Sequence, residues 1–174
     1  LSSGGEYADI FVEQRKSTAI QLEDNKLEKI LSGTDSGVGI RLIFKGKTFY
    51  AFSNDFEENT LLDLADNLRK ASASSGREVT LDLRTQKPGV DFRIKLIPEQ
   101  VSIEKKIALV QEANKAARGY DRKISQVMAT YRDSVQKVRI ATSDGTISED
   151  DRIHTLLVVH VISSDDGIIQ TGYE

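Results

Sequence analysis

Apolar and polar residues alternate with period two over most of the chain and change to helical spacing in two stretches. In residues 6–14, Ala8, Ile10 and Val12 share one face, with Asp9 and Glu13 on the other. Thr18, Ile20 and Leu22 predict a second strand, Asp24-Asn25 a turn, and Leu27 to Leu31 a third short strand. Ser32-Gly33-Thr34-Asp35-Ser36 then loops into the most strongly specified stretch, residues 35–55. Val38, Ile40, Leu42 and Phe44 alternate there with Gly39, Arg41 and Ile43. After Lys45-Gly46-Lys47, Phe49, Ala51 and Ser53 alternate with Tyr50 and Phe52. Two alternating runs around a Gly-containing turn predict an antiparallel hairpin. Gly37 and Gly39 are poor strand residues, so each marks a bulge or a close backbone approach. For Gly39 a bulge or a positive φ is the expectation.

Helical spacing first appears after Asn54-Asp55. Asp55-Phe56-Glu57-Glu58 reads as a capping-box variant with Asp55 as N-cap. Leu61, Ala65, Leu68 and Ser72, with Leu62 and Leu64 beside them, form the apolar stripe that follows, and Ser72-Ala73-Ser74-Ser75-Gly76 ends it. Residues 79–83 alternate as a strand, Lys87-Pro88-Gly89 breaks it, and Phe92 to Ile97 reads as extended. Ser102 is the expected N-cap of a second helix, with Glu104 in its first turn. Ile103, Ile107, Val110, Asn114 and Ala117 share its buried face, and Arg118-Gly119 is the expected stop. Strands near 124–132, 136–143, 152–163 and 168–173 follow, with Asp144-Gly145 and Asp166-Gly167 as hairpin turns. The order predicts an α+β fold: a mainly antiparallel sheet, two principal helices packed on one face, and a carboxy-terminal β-meander. The run from Ile153 to Ile162 is apolar at positions facing both ways, which predicts cover on both faces.

At 174 residues the chain is one domain, 1–174, with a subdivision expected near 84–98. It has no Cys, so thiolate nucleophiles and thiolate metal ligands are absent, in keeping with a cytoplasmic setting. A formal charge of −3 and a pI near 5.5 argue against direct nucleic-acid binding. No apolar run is long enough to span a bilayer. The ends read as those of a piece cut from a longer protein.

Candidate chemistry is sparse. His154 and His160 share a strand face but lie about 20 Å apart along it, too far to hold one metal ion. Gly46-Lys47-Thr48 resembles the end of a phosphate loop, but Arg41 stands where the first Gly is required and a strand follows, so these are turn residues. Gly37-Val38-Gly39 begins a dinucleotide pattern and fails at Leu42. Glu149-Asp150-Asp151 and Asp165-Asp166 lack calcium-loop spacing and read as solvated turns. Arg41, inside an apolar hairpin, is read as half of a structural ion pair in preference to a substrate-carboxylate anchor. No catalytic, cofactor-binding or metal-binding residue is assigned.

Two blocks carry a family resemblance. One is Gly37-Val38-Gly39-Ile40-Arg41, a loop, then Phe49-Tyr50-Ala51-Phe52-Ser53-Asn54-Asp55. The other is Ser134, then Val138 to Thr146, then Asp166 to Glu174. Together they resemble the amino-terminal domain of the TldD/PmbA proteins, zinc metallopeptidases formerly called modulators of DNA gyrase. Within the resemblance, Gly37, Gly39, Arg41, Gly46, Ser53, Asn54, Asp55, Ser143, Asp144 and Gly145 are structural motif positions. It implies a non-catalytic domain that encloses or presents unfolded peptide and supports a dimer with itself or a related chain. It also implies that the zinc helix, in which zinc activates water and a Glu acts as base, lies in a carboxy-terminal domain absent here. Some family members lack that helix and serve as the partner subunit. The rival reading is a stand-alone protein-interaction module without chemistry.

Overall fold

The computed structural model describes residues 6–72, 84–86 and 94–174. Within them seven strands and two α-helices form an α+β architecture whose sheet is mainly antiparallel. The elements are β1 (Tyr7–Glu23), β2 (Lys26–Phe44), β3 (Lys47–Ser53), α1 (Glu58–Ser72), β4 (Arg84–Gln86), α2 (Ile103–Tyr120), β5 (Ile124–Thr142), β6 (Thr146–Asp165) and β7 (Ile168–Tyr173), with a 3-10 turn at Pro98–Gln100. The sheet order is β3-β2-β1-β5-β6-β4, and β7 also pairs with β6, closing the carboxy-terminal meander. The β4–β6 pairing is parallel. The strand expected at 79–83, the Lys87-Pro88-Gly89 break and the residues Ala73 to Gly76 lie outside the described residues. Residues 94–97 form no strand.

Several expected breaks are absent. The three short strands expected before residue 37 are two long ones, β1 and β2, of 17 and 19 residues. The polar run Glu13-Gln14-Arg15-Lys16 interrupts the alternation of side chains, but ladder bonds are made by the backbone whatever the side chain is. The two strands expected at 124–132 and 136–143 are likewise one, β5. Its alternation runs unbroken through Val127, Ala129, Tyr131, Asp133 and Val135, all buried, so the gap expected between residues 132 and 136 is absent. β6 starts at Thr146, so Glu149-Asp150-Asp151 lies in a strand.

The register of these strands is fixed by tight turns. Asp24-Asn25, Lys45-Gly46 and Asp166-Gly167 each place both central residues at positive φ, the type I′ geometry that matches strand twist. Lys45 is the costly member, having a Cβ at φ 50°; its N–H donates to the Glu6 carboxylate at 3.0 Å. Between β5 and β6 the turn has three residues, closed by Gly145 N–H donating to the Thr142 carbonyl at 3.1 Å, with Gly145 at φ 92°.

The chain forms two compact units, and each long strand contributes one end to each of them. The first contains β1 through Arg15, β2 from Asp35, β3, α1 and Gln136–Arg152. Its core is Ile40, Leu42 and Leu68, with Ala8, Phe49, Ala51 and Leu64 packed against them. The second contains Lys16–Thr34, α2, β5 through Val135, and β6 and β7 from Ile153. Its core is Ile20, Leu22, Val110, Ala129 and Tyr131, flanked by Ile103, Ile107 and Val159. Full burial of an aliphatic chain such as Ile20 or Val110 stabilises by about 1.5–3 kcal/mol. In each unit one helix supplies the apolar lid for its stretch of sheet.

The helix ends differ from the sequence reading. α1 begins at Glu58, so Asp55 is not its N-cap. Asp55 instead accepts the Glu57 N–H at 2.9 Å and the Thr60 hydroxyl at 2.6 Å, bracing the approach to the helix. Ser102 is the N-cap residue of α2, without a side-chain capping bond. α2 continues through Gly119 to Tyr120, so Gly119 is a helical residue.

Gly39 also departs from expectation. It has neither a positive φ nor a bulge: the β2–β3 register runs without interruption from Val38↔Ser53 to Phe44↔Lys47. Its role is close approach by a side chain. A Cβ on Gly39 would meet the Tyr50 ring, 2.9 Å from two ring carbons and nearer still to the hydroxyl. Tyr50 is 61% exposed, so the ring can swing away. Gly39→Val is therefore expected to shift the urea midpoint little, strand propensity offsetting the lost cover within about 1 kcal/mol. Gly46→Ala, at φ 68°, should cost about 1–2 kcal/mol. A larger loss at Gly39 than at Gly46 in urea titrations would refute this assignment.

Candidate functional site

The hairpin β2–β3 is the centre of the first unit. Arg41, on the face opposite Ile40 and Leu42, donates from Nε to Asp9 Oδ2 of β1 at 2.8 Å, and its Nη2 pairs with the same oxygen. Asp9 is 9% exposed and Arg41 is much more open, so the contact ties β1 to β2 from a half-buried position. The Arg41 guanidinium also lies 5.9 Å from the centre of the Tyr7 ring. Burial, followed by the charges of Asp9 and Asp144, pushes the Tyr7 hydroxyl above its ordinary pKa.

The second motif block meets the start of β1. Ala8 N–H donates to the Ser143 hydroxyl at 2.9 Å, and Ser143 N–H donates to the Ala8 carbonyl at 2.8 Å. Asp144 accepts the Thr142 hydroxyl and, at 3.1 Å, the Thr146 N–H. These bonds hold its carboxyl below the usual range, as the Thr60 hydroxyl and the Glu57 N–H do for Asp55. Gly37 lies beside Asn54 and Ser53: a Cβ there would be 3.4 Å from the Asn54 Oδ1 and from the Ser53 carbonyl. Ser53 Oγ accepts the Asp55 N–H at 2.9 Å. Gly37, Gly39, Arg41, Gly46, Ser53, Asn54 and Asp55 thus gather along the hairpin and its exit, while Ser143 pins the amino-terminal end of β1 and Asp144 and Gly145 close the β5–β6 turn. Their contacts maintain turns and strand pairing.

The other face of the hairpin is covered by α1. On the Arg41 face, Tyr50 and Phe52 are 61% and 71% exposed, with stacked rings 6.2 Å apart. Among the described residues, β3 is the end strand of the sheet. In a hairpin closed by a two-residue turn, the flanking pair Phe44↔Lys47 exchanges both hydrogen bonds, and alternate pairs follow it. The N–H and C=O groups of Thr48, Tyr50 and Phe52 therefore point outward from the sheet.

In the second unit, sequence reasoning missed the buried ion pair. Lys106 of α2 and Asp133 of β5 are 6% and 7% exposed and meet at 2.5 Å. The Tyr131 hydroxyl donates to the same Asp133 oxygen at 2.7 Å. Burial, then the hydrogen bond to Asp133 and its charge, push the Tyr131 hydroxyl far above its ordinary pKa. The signal was present: Lys106 falls on the α2 face that carries Ile103, Ile107 and Val110, and Asp133 is in phase with Val127, Ala129 and Tyr131. The turn Asp24-Asn25 is tied to the same helix by Arg118–Asp24 and by Asn114 Nδ2 donating to Asn25 Oδ1 at 2.5 Å.

His160 stacks on Tyr173 at 5.4 Å between ring centres, and His154 is exposed. Glu149, Asp150 and Asp165 pair with Arg139, Arg152 and Lys123 at 2.9, 2.9 and 2.6 Å. Among the described residues no three His, Cys, Asp or Glu side chains gather as a metal set. Among the described residues, too, no helix is long and apolar enough to cross a membrane.

Fold and surfaces together define an α+β scaffold with an aromatic-bearing sheet edge and ion-paired strands. Residues 8–72 match the family described as PmbA/TldA metallopeptidase domain 1, and residues 96–174 match its central domain; the chain belongs to this family. A metalloprotease of Methanocaldococcus jannaschii is 27% identical over 175 residues, covering 98% of this chain and 38% of the relative. A metalloprotease TldD homolog of Haemophilus influenzae is 24% identical over 169 residues, covering 96% and 35%. The chain thus spans less than two fifths of the length of these relatives. Among solved structures, TldE from Thermococcus kodakarensis has the same fold, with a TM-score of 0.66 at 12% identity over 98% of this chain and 39% of that one. A candidate modulator of DNA gyrase from Bacteroides thetaiotaomicron gives 0.78 at 16% identity over 98% and 40%.

The buried pair yields a stability prediction. Lys106→Met leaves the Asp133 charge in the core without its cation and should cost about 3–5 kcal/mol. Adding Asp133→Asn, which keeps an acceptor for Tyr131, should recover most of that loss. Urea titration of both variants checks it. A single-variant cost below about 1 kcal/mol would show that the pair is not coupled as the geometry indicates.

Proposed function

We propose that this chain is the non-catalytic amino-terminal portion of a TldD-like zinc metallopeptidase, which presents unfolded peptide substrate and supports assembly with a like or related chain. Family membership and relatives named as metalloproteases support the parent activity. The hydrolytic chemistry then belongs to the part of such proteins that these residues do not match. The observation that carries the presenting role is the edge strand β3, with the outward-facing backbone groups of Thr48, Tyr50 and Phe52 and two exposed aromatic rings beside them. An extended peptide can add to such an edge through main-chain bonds, which bind many sequences with little selectivity. That suits a peptidase acting on unfolded chains in the cytoplasm.

Assembly is assigned to a different surface, in the second unit. Leu156 and Leu157 on β6 and Ile168 and Ile169 on β7 are 36–66% exposed. These residues alternate between the two faces of their strands, with Ile168 and Ile169 opposite Asp165 and Ser164 and well away from Leu156 and Leu157 along β6, so they mark separate exposed apolar positions that fit contact with a further domain or subunit.

The edge role is tested by Thr48→Pro. Proline removes an outward N–H while leaving the β2–β3 bonds in place. Binding of a fluorescent, permanently unfolded polypeptide, followed by anisotropy, should weaken at least several-fold, with circular dichroism and thermal midpoint close to the parent chain. Unchanged binding by a folded Thr48→Pro variant would rule out β3 as the presenting edge.

A further inference from the structure

One cleft in the first unit adds a chemical preference to the proposed edge. It has a volume of about 260 Å³ and is bordered by Phe11 and Glu13 of β1, residues 35–38 of β2, Tyr50, Phe52 and Ser53 of β3, and Asn54. Among the described residues, three aromatic rings and two carboxylates line it, and no Lys, Arg or His does. The Tyr50 and Phe52 rings are held in a stack, 6.2 Å between centres and 24° between planes. Gly39, lacking a side chain, leaves room for the Tyr50 ring to lie against β2. Glu13 is partly engaged, by the Gln136 amide and by Arg15 at 3.9 Å. Asp35 is exposed.

The faces of aromatic rings carry negative potential and attract cations, and desolvation strengthens the attraction. Arg41 over Tyr7, on the same sheet, is an instance within this unit. Carboxylates at the border of the cleft add to the attraction, and the formal charge of −3 has the same sign. We infer that this cleft binds the lysine or arginine side chain of an unfolded peptide. The inference rests on β3 as the edge to which the peptide adds. Alternate side chains of an added strand project to the face that carries Tyr50 and Phe52, so every second residue of the peptide passes beside the cleft. A basic residue there is gripped by the rings and by Asp35; an acidic one is repelled; a neutral one gains only the main-chain bonds. The edge thus supplies sequence-tolerant affinity and the cleft supplies a preference for positive charge.

The test uses the 174-residue chain and two labelled, unstructured peptides that differ at one central position, Arg in one and Gln in the other. Anisotropy titrations are expected to show about tenfold tighter binding of the Arg peptide, with the difference shrinking as salt is raised. Asp35→Asn, at an exposed position, should reduce that preference while leaving the Gln peptide's affinity nearly unchanged; Phe52→Leu, which removes a ring, should also reduce it, read as the ratio of the two peptides' affinities. Equal binding of the two peptides by the parent chain overturns the cleft inference and leaves the edge standing. An Arg preference that survives intact in both variants places the cation elsewhere and also overturns it. Failure of both peptides to bind removes the edge, and the cleft inference with it.

Discussion

A shift of one residue between two paired strands turns every side chain to the opposite face, and in this chain protection against such a shift is concentrated at its tight turns. The long strands run through stretches, such as Glu13 to Lys16, that are polar on both faces and so define no register of their own. Left-handed residues at Asp24-Asn25, Lys45-Gly46, Gly145 and Asp166-Gly167 supply it instead. Three of these turns carry an additional fastening: Glu6 on Lys45, α2 on Asp24-Asn25, Thr142 on Asp144. With register set there, Ile40 and Leu42 reach α1, and Ile20 and Leu22 reach α2.

The polar side chains then perform two kinds of work. Asp9–Arg41 and Lys106–Asp133 bind elements together, the first half-open, the second deep in the core. A buried ion pair contributes little net stability, because desolvation offsets most of its Coulomb gain, but a misplaced α2 would leave two charges unpaired. The pair therefore penalises wrong packing more than it rewards the right one. Tyr50 and Phe52 lie on the face of β3 away from α1, and that exposure is what leaves an edge and a cleft available to other chains.

The sequence made the hairpin 35–55, both helices, the meander turns and the α+β class legible, because in each case alternation, helical spacing or a turn dipeptide spoke locally. It misled where a polar residue had a long-range partner. A gap between strands was expected at 133–135, where Asp133 lies, since nothing nearby announces Lys106. Gly39 was read as a backbone device, although its partner is a ring eleven residues away. Asp55 was read as a cap because its spacing to Glu58 fits one, while its actual partners are Glu57 and Thr60. The motif positions could be named from resemblance, but their contacts could not, since Ser143 meets Ala8 across most of the chain.

The central claim, that β3 is an edge that receives extended peptide, is tested most directly by amide hydrogen exchange with and without a saturating unfolded peptide. The account predicts slowed exchange at the amides of Thr48, Tyr50 and Phe52, with Phe49 and Ala51, already bonded to β2, little changed. Protection confined to β7, or no new protection on any strand despite measured binding, would contradict it.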